Sequence, residues 1–166
     1  CDDSEGFLIP VINNNLCISC GLCQKVCPII NKRMIKETQP ISIFAGYIKD
    51  TRIRRTSASG GAFPAFANFY YSLPNGMVAA ASFDNHLNLK HVLSTSKKDL
   101  HKLQGSKYLQ SEIGFIYQDI LNNLKQEKEI CFVGTPCQVA GLKSFLRRDY
   151  DNLFTIDLVC HGVPSP

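Results

Sequence analysis

Ile130-Cys131-Phe132-Val133-Gly134-Thr135-Pro136-Cys137-Gln138 reads as a buried strand that turns directly into a helix. Four apolar residues bounded by glycine suit a strand covered on both faces. Thr135 suits an N-cap and Pro136 the first helical position. A helix over about 137–148 and a strand over 153–159 then complete a βαβ unit, whose crossover implies parallel, buried neighbours. Working back, 77–83 and 87–93 read as a strand pair across Asp84-Asn85-His86, the first buried and the second alternating. Gly60-Gly61 opens a helix that runs through Tyr71 and stops before Pro74-Asn75-Gly76, and 43–49 reads as a further strand. Two helices fill the space before residue 130. The clearer one puts Ile113, Ile116, Tyr117, Ile120, Leu121 and Leu124 on one face, behind Ser111 as N-cap. The expected fold class is α/β (α+β overall), an α/β domain with a βαβ unit.

Ahead of this domain the pattern is different. Residues 1 to about 40 hold Gly6, Pro10, three consecutive asparagines from Asn13, Gly21, Pro28 and Pro40 without sustained periodicity, which describes a loop-rich module organised by metal. Its centre is Cys17, Cys20, Cys23 and Cys27-Pro28, the C-x2-C-x2-C-x3-C-P run of a [4Fe-4S] site. Three thiolates at this spacing wrap one cubane, while the fourth, rotated away by a helix start, serves another cluster in two-cluster ferredoxins. Zinc is the competing reading, since two C-x2-C hooks share Cys20, but zinc sites seldom pack four cysteines so tightly. If the run is half of a two-cluster module, its partner run lies upstream of Cys1. Cys1, sixteen residues before Cys17, stands near the distance of a remote ligand, yet Asp2 follows it where proline is usual; a plain loop thiol is the alternative. The expected division is therefore 1–40, the C-terminal half of a ferredoxin-type module, and 41–166, an α/β domain. Both ends read as cuts through a longer chain.

Bulk properties agree with an ordinary globular protein: 166 residues, 45% hydrophobic and 19% charged. At this size folding buries roughly two-thirds of the chain's surface, so the eight cysteines are not needed as a disulfide scaffold. Four lie within eleven residues and the others are scattered, which suits metal ligation plus reduced thiols in a cytoplasmic setting. The formal charge of +4 is small, and only Arg52, Arg54 and Arg55 cluster, so no nucleic-acid partner is expected. No apolar run is long enough to span a bilayer, and no signal-peptide pattern opens the chain.

Three further segments place small or polar groups where an anionic cofactor can dock. Arg54-Arg55-Thr56-Ser57-Ala58-Ser59-Gly60-Gly61 leads into a helix whose positive end favours phosphate, although glycine-serine loops also occur as plain turns. Gly134-Thr135-Pro136-Cys137-Gln138 follows a buried strand, and capping alone accounts for its composition. Cys160-His161-Gly162, however, follows the next parallel strand, so both loops leave the carboxyl edge of one sheet, where α/β proteins place ligands. The convergence of two cysteines and a histidine there is expected to exceed packing. Gly105-Ser106-Lys107-Tyr108 is the weakest of the three, a turn whose lysine meets either phosphate or solvent.

Taken in order, Gly6-Phe7, the cysteine run, Arg55 to Gly61, Gly105 to Tyr108, Phe132 to Gln138 and Asp157-Leu158-Val159-Cys160-His161-Gly162 resemble the coenzyme F420 hydrogenase/dehydrogenase beta-subunit family. The resemblance implies an iron-sulfur flavoprotein oxidoreductase in which FAD passes electrons between [4Fe-4S] clusters and a hydride partner, either coenzyme F420 or another organic substrate, with a redox partner protein as the other terminus. It implies FAD contacts at Ser57, Ser59, Gly60, Gly61, Ser106, Lys107, Gly134 and Thr135, with His161 as candidate catalytic residue. Clusters fall to Cys17, Cys20, Cys23 and Cys27, and an additional one to Cys137 and Cys160, completed by cysteines downstream of Pro166. Relative to the family the chain lacks a first ferredoxin run and the C-terminal part. A flavin-free ferredoxin-type electron carrier or docking module is the alternative.

Overall fold

β1 (Gly76–Phe83) is built from small residues because both of its faces are covered. Val78 and Ala80 point to one helical layer and Ala79 to the other, and all three are buried. Strands with so little side-chain bulk let helices approach closely from both sides. The computed structural model describes residues 3–7, 9–27, 30 and 42–164. Its sheet has four strands in the order β2-β1-β3-β4, with β2 (Leu89–Ser94), β3 (Glu129–Gly134) and β4 (Leu153–Asp157). β1, β3 and β4 run parallel, and β2 is antiparallel to β1. The α/β class and the βαβ unit are as expected.

β3 shows how the layers are divided. Ile130 and Phe132 face a core with Ile116, Ile120 and Leu124 of α5 (Ile116–Leu124) and Val139, Leu142 and Leu146 of α6 (Pro136–Leu146). Cys131 and Val133 face Ala67 and Tyr70 of α3 (Ala62–Ser72) and Leu103 of α4 (Leu100–Leu103). Two short helices, α1 (Leu22–Val26) and α2 (Thr51–Arg55), precede this body. His91 of β2 is buried, stacked on Phe132 with centroids 5.3 Å apart. Its Nε2 lies 3.1 Å from the Val133 carbonyl, which can only accept, so Nε2 carries the hydrogen.

Three expectations need correction. Residues 43–49 form no strand: no described strand lies beside them, Ile43 and Phe44 are 88% and 90% exposed, and among the described residues the main chain of the segment is tied back through Ile48 N–H to Gly60 O at 2.8 Å. Apolar alternation without a ladder partner leaves backbone groups to solvent. Ser111 does not cap α5, whose N-cap is Phe115; the Ser111 hydroxyl is engaged with His91 and Gln138 instead. β4 stops at Asp157 rather than 159 and is not buried, because it forms an edge of the sheet. Beside it Phe66, Phe69 and Phe154 remain exposed around a groove of about 450 Å³. The expected boundary at 40/41, together with Cys1 and Pro28, lies outside the described residues.

Burial holds the His91 imidazole neutral by lowering its pKa from the ordinary 6.5, against a smaller opposing effect of the Val133 carbonyl. The unfolded chain therefore binds a proton that the folded chain refuses, and stability is lost as pH falls below about 6.5. We expect the melting temperature to fall between pH 7.5 and 5.5 and the slope to flatten in His91→Gln; an unaltered slope in that variant would exclude His91 as its source.

Candidate functional site

The cysteine run occupies a loop that turns sharply twice. Ser19 and Gly21 both have positive φ, 54° and 68°, a conformation that costs Ser19 more than glycine. The turn aims the Ser19 amide at the Cys17 sulfur, 3.4 Å away, a contact that suits a ligating thiolate. Cys17, Cys20 and Cys23 are exposed, Cys27 is half-buried, and none of the four is in a disulfide. Cys23 rides on α1, whose C-cap is Cys27, and α1 lies alongside α6. This soft, sulfur donor set, free of disulfides, has the chemistry of an iron-sulfur ligand set, but among the described residues its side chains do not gather three together within reach of one metal ion.

The other candidate segments gather at the carboxyl ends of the parallel strands. α3 runs back along β1, so its N-terminus at Gly61 stands near the edge where β1 ends. Gly61 has φ of 83°, and a Cβ there would meet Ile48 Cγ2 at 2.5 Å, so only glycine suits this helix start. Ser57 is half-buried with its hydroxyl donating to Ile53 O at 2.7 Å, whereas Ser59 is exposed and Gly60 half-buried. The Gln104 side chain donates to Thr56 O at 3.1 Å and so ties this loop to the turn at Gly105-Ser106-Lys107. Ser106 and Lys107 line a cavity of about 330 Å³ with Ser82, Phe83, His101, Lys102 and Gln104. That volume is at the lower end for small-molecule sites.

Two of these residues differ from a simple phosphate cradle. Lys107 is half-buried, and its Nζ donates to three carbonyls, Leu103, Gln104 and Gly105, at 2.9, 3.1 and 3.2 Å. It thereby satisfies the end of α4 and brings positive charge to the cavity wall, while burial lowers its pKa. At the start of α6, Thr135 N–H donates to Gln138 Oε1 at 2.9 Å within a capping box. The Thr135 amide is thus committed, and Gly134 offers a close backbone surface, its missing Cβ leaving room for Gln138 Oε1 at 3.0 Å.

Cys137 and Cys160 are both exposed. Leu158 N–H donates to Gly134 O at 2.9 Å, which holds the segment leading to Cys160 beside the Gly134 turn. Among the described residues no three Cys, His, Asp or Glu side chains gather within reach of one metal ion. The expected convergence of Cys137, Cys160 and His161 is therefore not formed by these residues alone: Cys137 Sγ meets Thr135 Oγ1 at 3.1 Å, and Cys160 Sγ accepts from Gly162 N at 3.4 Å. Residues that sequence reading missed are Gln104, which joins two loops, and His91, whose place in an alternating strand looked ordinary. No described helix is long and apolar enough to cross a membrane.

Residues 10–29 match the model of the 4Fe-4S binding domain, and residues 127–166 match that of the C terminus of the coenzyme F420 hydrogenase/dehydrogenase beta subunit. The chain is also 27% identical over 174 residues to an uncharacterized protein of Methanocaldococcus jannaschii, an alignment covering 92% of this chain and 47% of the relative. The chain thus spans about half the length of the curated relative it matches. With the cysteine run inside one matched segment and the Gly134 turn inside the other, the family resemblance is borne out: the chain is similar to the 4Fe-4S binding domain at one end and to the C terminus of the coenzyme F420 hydrogenase/dehydrogenase beta subunit at the other.

Proposed function

We propose that the protein is an iron-sulfur flavoprotein oxidoreductase, acting in the cytoplasm. FAD is held at the carboxyl edge of the sheet, and coenzyme F420 or another organic molecule is the hydride partner. The observation that carries this reading is the cavity lined by Gln104, Ser106 and Lys107, to which the Gln104 side chain ties the neighbouring 56–61 loop through Thr56 O, together with a cysteine run of the [4Fe-4S] type. Bound FAD would exchange electrons in pairs with the hydride partner and singly with the cluster. Ser57, Ser59, Gly60, Gly61, Ser106 and Lys107 would hold its anionic part, and Gly134 and Thr135 would supply a close backbone wall. Lys107 contributes charge and shapes the turn. Cys17, Cys20, Cys23 and Cys27 ligate clusters, and Cys137 and Cys160 belong to a further one; His161 stands beside Cys160 as a candidate proton donor. The division into a cluster module over 1–40 and a flavin domain over 41–166 belongs to the same reading.

Anaerobic reconstitution with iron, sulfide and FAD, followed by metal and flavin counting, tests it. A yellow protein with flavin absorbance near 450 nm is expected, whereas iron without flavin would favour an electron carrier or docking module. Cys20→Ser should remove one cluster's absorbance and leave the helical signal of the α/β body intact, because metal organises only the N-terminal module; collapse of the helical signal would contradict that division. Lys107→Met should weaken FAD binding several-fold, because it removes the positive charge at the cavity wall and the bonds that hold the turn, and unchanged affinity would remove Lys107 from the site. Replacing Cys137 and Cys160 together by serine should lower the iron count by about four atoms, the content of one cubane. Unchanged iron would leave them as ordinary thiols.

A further inference from the structure

A chain of hydrogen bonds runs from the buried face of the sheet to the start of α6, and donor and acceptor chemistry assigns its direction at every step. His91 Nε2 donates to Val133 O at 3.1 Å, so Nδ1 of the neutral ring bears a lone pair. Ser111 Oγ lies 3.0 Å from that Nδ1 and must donate to it. The same oxygen accepts from Gln138 Nε2 at 2.8 Å. Gln138 Oε1 in turn accepts the Thr135 amide at 2.9 Å; since an amide N–H only donates, the Gln138 side chain cannot be flipped. The Gln138 backbone is held too, its carbonyl accepting from Tyr117 Oη at 2.8 Å. His91 is kept in place by its stack on Phe132.

Apart from the Thr135/Gln138 bond, none of these partners is local. β2 supplies His91, the loop before α5 supplies Ser111, and α6 supplies Gln138, so the network reads the tertiary arrangement of three elements at one turn. A helix N-cap on the surface needs only the Thr135/Gln138 box, which solvent could complete on the Nε2 side. Here that side faces protein, and the far end is a buried imidazole whose tautomer is dictated by a main-chain carbonyl. Chains of this kind strengthen each member and lose more than one bond when broken.

We propose that His91 and Ser111 are positioning residues for the turn at 134–137, acting through Gln138 to hold the Thr135 backbone and the Cys137 helix start in a single arrangement. The purpose of that positioning rests on the reading that this turn belongs to the redox site; the relay itself does not. Neither residue lines the cavity at the Gly105–Lys107 turn. Their role is to remove the freedom of a turn that must present a backbone wall on one side and a thiol on the other.

Nitrogen-15 NMR of histidine-labelled protein reads the relay directly. His91 should show a protonated Nε2 and a bare, accepting Nδ1. Gln138→Glu keeps an acceptor for the Thr135 amide but removes the donor to Ser111, so the His91 Nδ1 signal should shift although Ser111 stands between the two. Ser111→Ala should speed exchange of the Thr135 amide about tenfold, and Ser111→Thr, which keeps the hydroxyl, should restore it. An Nδ1-protonated tautomer, or a His91 signal indifferent to Gln138→Glu, overturns the proposal, and the second of these can be read even if Ser111→Ala does not fold. Cys137→Ser leaves the relay intact: unchanged iron in that variant sinks the cluster assignment while the His91 signals, unaltered, support the relay.

Discussion

The parallel pairing of β1 with β3 is the constraint on which the α/β body depends. A register that sets Met77 beside Ile130 and Ala79 beside Phe132 places two strands, both buried on both faces, at the centre of the sheet, and every helix then has to find its place against one side or the other. Because the side-chain period of a strand is two, a one-residue slip would exchange the partners of Phe132 and Cys131 and misfit both cores at once. Phe132 is fully buried and Ile130 with it, so the helices α5 and α6 pack on bulk, whereas α3 packs on Cys131, Val133 and the small residues of β1.

That pairing also decides where chemistry can occur. Three parallel strands deliver their carboxyl ends to one edge, and with them Ser82-Phe83, the Gly134 turn and the segment toward Cys160. α3, running back along β1, adds the Gly61 helix start to the same edge. The loops there are of two kinds. The turn at 134–137 has its polar groups consumed internally by Gln138, Ser111 and His91, which makes it a rigid support. The 56–61 loop keeps Ser59 exposed and is tied through Thr56 to Gln104 of the cavity wall, which leaves it the surface able to accept a ligand. Lys107 belongs to both descriptions, since its amine closes three carbonyls of its own turn while its charge remains at the cavity wall.

The cysteine module obeys different physics. Few of its side chains are buried, its thiols face solvent, and its backbone is shaped by left-handed residues at Ser19 and Gly21 rather than by a core. Such a segment draws its order from metal ligation. Its helix α1 lies against α6, the helix that Cys137 opens, so the module and the sheet edge share a structural support.

Much of this was legible in the chain. The run from Ile130 to Gln138 specified a strand, a cap and a helix because burial and capping are local requirements of residue type, and the cysteine spacing specified cluster chemistry because thiolate reach is set by the intervening backbone. The 43–49 segment was misread because alternation records only a preference for a half-buried surface, and no described strand supplies one. Ser111 was misread for a related reason: a serine before an apolar helix suits an N-cap, but a hydroxyl goes to whichever partner the fold brings closest, and here that is a buried imidazole twenty residues away. His91 itself carried no local mark. Local order in the sequence determined elements and thiol chemistry, whereas the assembly of His91, Ser111, Gln138, Gln104 and the cavity was decided only by tertiary packing, because hydrogen bonds between distant residues depend on distances that no single segment encodes.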